Sequence, residues 1–199
     1  MDQERDTETL VKQGKFTEAL HLYEKSLQLI ATNGPINLPI IIDLHNKIGK
    51  IYFKLDQYDK ALDHFETILQ LKRQSSSTTN EIDDETILAK ISIIKVWIEL
   101  ARYKKSLSEL ENLFRVIENR QNPKDDVQRA ILATFGFLYA KLAKFKEAIK
   151  FFEQARALFD EKNTDTEAEY VECTLALALT YLEFGNYEKS WTLIGIADE

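Results

Sequence analysis

The chain has 199 residues, with 26 lysines and arginines against 33 aspartates and glutamates, a formal charge of −7. That acidic balance excludes broad nucleic-acid binding, which needs a clustered basic excess to neutralise phosphates. Six glycines and three prolines fall well below the ~12% of an ordinary globular chain, so long helices joined by short turns are expected.

The segment MDQERDTETL lacks the basic flank and apolar core of a secretory signal. Apolar and charged residues then alternate with helical periodicity. The expected helices run 3–13, 16–31, 39–54, 58–73 and 84–100, then 103–119, 124–142, 145–160, 166–184 and 187–197. They pair into units 1–33, 38–74, 83–120, 123–161 and 165–199 of one array over 1–199. Gly14 and Gly185 stand where a left-handed residue would end a helix. Asn122-Pro123 reads as a cap followed by proline at the first helical position, and Thr164 to Glu167 as a capping box. The polar run SSSTTN marks a solvated insertion between residues 74 and 84. The stretch Thr174 to Phe184 is too short and too interrupted to span a bilayer, so no membrane insertion is expected.

Self-similarity organises the whole chain. Phe16, Tyr58, Tyr103, Phe145 and Tyr187 are spaced by 42, 45, 42 and 42 residues. Three residues after each comes a small side chain: Ala19, Ala61, Ser106, Ala148 or Ser190. Four residues later comes a large one: Tyr23, Phe65, Leu110, Phe152 or Ile194. The preceding helix carries a second signature, a small residue followed by an aromatic: Gly49 to Tyr52, Gly136 to Tyr139, Ala178 to Tyr181. In the third unit, Ile94 replaces the small residue before Trp97.

These residues resemble the tetratricopeptide repeat, a pair of antiparallel helices whose small residues allow close approach. The resemblance implies an all-α fold, a right-handed superhelical solenoid of about five antiparallel helix pairs. It also implies a non-catalytic scaffold or adaptor for other proteins. The 42-residue period is longer than the usual 34 and is similar to the repeats of kinesin light chain-type adaptors. Their asparagine ladder is absent, since the matching places hold Arg5, Lys47, Ser92, Thr134 and Ala176.

Catalytic chemistry has little support. His21, His45 and His64 come without a nucleophile motif, a phosphate loop or metal-ligand spacing, so no cofactor and no metal are expected. His45 takes the place of the repeat's tryptophan and can meet His64 on the paired helix. Cys173 is the single cysteine, which excludes an intrachain disulfide and points to a buried thiol in a reducing, cytoplasmic setting. Asp83-Asp84 and Asp125-Asp126 begin helices, where negative charge suits the dipole.

The remaining signal is apolar. The first helix of units three to five is apolar nearly all round, and such a helix is normally covered on every side. Repeat alignment places Leu88, Ile91 and Ile98 on the concave face of unit three. Ala133, Phe137 and Ala140 follow in unit four, and Leu175, Leu179 and Leu182 in unit five. Unit two offers Asn46, Lys50 and Phe53, with Lys95 and Lys141 nearby. This groove is expected to take an amphipathic helix or an apolar peptide. Trp191, Ile194 and Ile196 would end the stack without a polar cap, so a homodimer is the rival use of the apolar surface, and a peptide-responsive regulator a further one.

Overall fold

The computed structural model describes residues 2–33, 37–75, 82–120, 125–159 and 167–197, with side chains from 7 to 195 within those segments except 31–33 and 167–168. Ten helices occur among the described residues: α1 (Asp2–Lys12), α2 (Phe16–Asn33), α3 (Leu38–Lys54), α4 (Tyr58–Ser75) and α5 (Asp84–Glu99). They continue with α6 (Tyr103–Glu118), α7 (Asp125–Lys141), α8 (Phe145–Arg156), α9 (Glu167–Glu183) and α10 (Tyr187–Ala197). Most ends fall within two residues of expectation. The exception is α8, which stops at Arg156, where Leu158 and Phe159 donate to the carbonyls of Ala155 and Arg156 and tighten the chain into a turn. The expected caps at 122–123 and 164–166, and most of SSSTTN, lie outside the described residues.

The helices fall into two compact units, Met1–Val96 and Trp97–Glu199. In the first, α3 lies against α4, and Ile48, Ile51, Ala19 and Tyr23 are buried in one cluster. In the second, α7 lies against α8, and α9 against both α8 and α10, around Phe152, Ala148, Leu177 and Cys173. The small residues do what their spacing implies. A Cβ added at Gly49 would come within 2.7 Å of the Phe65 ring, and one at Gly136 within 2.7 Å of Phe152. Glycine there is the space the phenylalanine fills.

The turn inside each repeat is the same. Gly14, Asp56, Ala101, Ala143 and Gly185 all have positive φ, between 56° and 84°, each two residues before the anchoring aromatic. The next residue donates its N–H back five positions, as in Lys144 to Tyr139 and Asn186 to Tyr181, at 2.9 and 2.8 Å. This bond satisfies a carbonyl that the helix end leaves unpaired. The glycines were expected here; the aspartate and the two alanines hold the same conformation at a steric cost.

Two helix starts are capped, one by the expected Asp83 and one by Asn37, which the sequence reading does not name. Asp83 accepts the Thr86 N–H at 2.8 Å, and Asn37 accepts that of Ile40 at 3.5 Å. Burial pushes the Asp83 carboxyl up, but hydrogen bonds from Lys72 and Thr86 outweigh it and hold the group below the usual carboxylate range. Lys72 pairs with both Asp83 and Glu85.

Candidate functional site

The expected groove residues do not share one environment. Ile91 and Ile98 are 3% and 2% exposed, so α5 spends them as core and they cannot contact a partner. The correction has a physical cause: a helix apolar all round gives no signal for which face meets solvent. Leu88 of the same helix is 39% exposed, and Lys95 is half-buried. In α3, Asn46 and Phe53 are half-buried and Lys50 is exposed, with the Phe53 ring edge-on to Tyr58 at 5.8 Å.

In α7, Ala133, Phe137 and Ala140 are half-buried against the second unit's core, and Phe137 meets Phe152 edge-on at 5.1 Å. Lys141 is exposed and pairs with Glu99 at 2.8 Å. The open part of the stripe is in α9. Leu175, Leu179 and Leu182 are 41%, 60% and 44% exposed at i, i+4 and i+7, one face of a helix. Trp191 of α10 is 74% exposed, whereas Ile194 is half-buried against the core. The side chain of Ile196 lies outside the described residues.

Two polar features join helices within the units. His45 and His64 meet through their Nδ1 atoms at 2.9 Å, the contact their spacing suggested. One ring must donate and the other accept, so the contact needs at least one neutral ring. Burial lowers the affinity of both for a proton. The charge of His64 adds to this for His45, while Glu24 and Asp63 partly oppose it for His64. The Tyr52 ring stacks on His64 at 5.6 Å.

The second feature escaped the sequence reading. The Tyr52 hydroxyl donates to Glu24 at 3.0 Å, and the Tyr181 hydroxyl donates to Glu153 at 2.6 Å, linking repeat two to repeat one and repeat five to repeat four. Burial and the neighbouring carboxylate both raise these phenols above their usual range, although Lys189 partly offsets the shift at Tyr181. Glu24, Glu66, Glu111 and Glu153 each stand eight residues after an anchoring aromatic, and that constant offset was the available signal.

Among the described residues no cluster of three or more His, Cys, Asp or Glu side chains could hold a metal, and no helix is long and apolar enough to cross a membrane. Cys173 is buried, its thiol directed at the Phe152 carbonyl oxygen 3.8 Å away. The chemistry on offer is therefore apolar contact edged by carboxylates.

Comparison with known proteins agrees with this architecture. Tetratricopeptide-repeat family models match residues 8–74 and 130–158. The regulatory protein RapG of Bacillus subtilis is 24% identical over 140 residues, 69% of this chain and 35% of RapG. The Rap conjugation gene regulator of plasmid pLS20, solved in complex with the Phr* peptide, superposes with a TM-score of 0.79 at 14% identity, over 96% of this chain and 50% of that one. Kinesin light chain TPR-like repeats from Podosopora anserina superpose with a TM-score of 0.60 at 15% identity, over 99% and 92%. The chain thus spans a third to a half of the Rap-type proteins it matches, and the likenesses show an all-helical, solenoid-type repeat fold.

Proposed function

We propose that this chain, which tetratricopeptide-repeat models match over residues 8–74 and 130–158, is a non-catalytic, cytoplasmic adaptor that binds an amphipathic helix or apolar peptide on α9. One observation carries the reading: Leu175, Leu179 and Leu182 stand 41–60% exposed along one helical face. Apolar side chains in such a row are the usual mark of a helix-in-groove contact. Each leucine buried on binding contributes up to about 1.5–3 kcal/mol, so the row supplies a sizeable share of what offsets the cost of association. The peptide complex of the pLS20 Rap regulator supports peptide recognition as the general task.

The test is a leucine-methyl NMR titration with a helical peptide bearing leucines at i, i+4 and i+7 and uncharged flanks. The reading expects the largest shifts at Leu175, Leu179 and Leu182. Shifts confined to other leucines would discard the assignment.

A further inference from the structure

We infer that the helix received by α9 is basic, with a lysine or arginine flanking its apolar row at each end. The inference rests on the proposed role of α9 and specifies the chemistry of its partner.

Neighbouring groove helices of the second unit already show how such a contact is made. Arg129 of α7, 5% exposed, binds Glu169 of α9 at 3.3 Å and Asp126 of its own helix at 2.7 Å. Lys141, at the other end of α7, binds Glu99 at 2.8 Å. Each cation of α7 therefore meets a carboxylate of a neighbouring groove helix, Arg129 at one end toward α9 and Lys141 at the other toward Glu99 of α5.

Helix α9 has only half of this arrangement. It carries four glutamates and no lysine or arginine. Glu172 and Glu183 are exposed and bracket the leucines, three residues before Leu175 and one after Leu182. Glu183 also lies 42 residues after Lys141, which lies 42 after Glu99, so acid and base alternate along one repeat register. A partner helix whose cation faced Glu183 as Lys141 faces Glu99 would repeat that pairing in the same register. A second copy of the chain fits poorly, because α9 against α9 would bring glutamate to glutamate. Charge complementarity selects a basic partner instead.

The test uses two labelled helical peptides that share leucines at i, i+4 and i+7 and carry either lysine or glutamate at i−3 and i+8. Fluorescence anisotropy at low salt should show the lysine peptide binding about threefold to tenfold more tightly, the range for two exposed ion pairs. The ratio should fall toward one in 1 M salt, where screening acts within about 3 Å. In Glu172→Lys/Glu183→Lys, both exposed positions, the preference should reverse. Equal binding of the two peptides, or a preference unmoved in the double variant, would overturn the inference and leave the leucine row intact as a site. Binding of neither peptide would remove the row as well. A concentration-dependent dimer that neither peptide displaces would assign the face to a second copy and likewise overturn it.

Discussion

Repeats four and five have the same register and opposite surfaces. Ala133, Phe137 and Ala140 of α7 are half-buried, whereas their equivalents Leu175, Leu179 and Leu182 are exposed. Phe145 and Ile149 of α8 are half-buried, whereas Tyr187 and Trp191 of α10 are 63% and 74% exposed. Two alanines become leucines at the very positions that lose their cover. Solubility alone would favour the opposite change, and the proposed contact face of repeat five rests on that contrast.

The comparison can be broken first at its largest side chains. Phe152→Ala should cost about 3–5 kcal/mol, because the ring fills the space opened by Gly136. Trp191→Ala should cost under about 0.5 kcal/mol, since its side chain is mostly in water. Urea denaturation of the two variants reads the difference, and equal losses would mean that α10 is covered after all.

A smaller effect separates the inner seams. Gly136→Ala should destabilise by about 1–3 kcal/mol through overpacking against Phe152. Repeat five holds Ala178 and Ile194 at the same two positions, so Gly136→Ala/Phe152→Ile should recover part of the loss. A double variant no more stable than Gly136→Ala would refute the exchange of volume between the two positions.

The turns should respond in opposite directions. Ala143→Gly should stabilise repeat four by about 1 kcal/mol, and Gly185→Ala should weaken repeat five by a similar amount, because both positions are left-handed. Thermal melts of the pair check the sign.

The smallest and most gradual change is expected with pH, and it sets repeat four against repeat two. Where repeat four has Leu132 and Phe151, repeat two has His45 and His64. Phe151 stacks on Tyr139 at 5.5 Å much as His64 stacks on Tyr52. Both histidines have folded pKa values below 6.5, so the unfolded chain binds more protons. Their contribution is therefore present above about pH 6.5 and is lost as the pH falls below it. Hydrogen exchange should loosen α3 and α4 before α7 and α8 on mild acidification. His45→Leu/His64→Phe should remove that difference, and an unchanged profile would contradict it.

Much of the fold was legible because the repeat states it five times. The anchoring aromatics, the small residues at Gly49 and Gly136 and the buried Cys173 lie where their spacing placed them. The turns at Asp56, Ala101 and Ala143 were hidden because neither residue type advertises a left-handed backbone, whereas Gly14 and Gly185 do. The surface was the harder part. Periodicity distinguishes an apolar helix from an amphipathic one, but it cannot say which apolar face is covered. Ile91 and Leu179 therefore looked alike in sequence, and one is 3% exposed and the other 60%. Burial of that kind is decided by neighbouring helices.

The most direct test of α9 as the binding surface is the affinity of a leucine-bearing amphipathic helix for Leu179→Glu beside the unaltered chain. Leu179 is mostly exposed, so the melting temperature should not move. Affinity should fall at least about tenfold, the cost of losing one buried leucine and burying a charge in its place. Unchanged affinity in a variant that melts like the original would place the contact elsewhere.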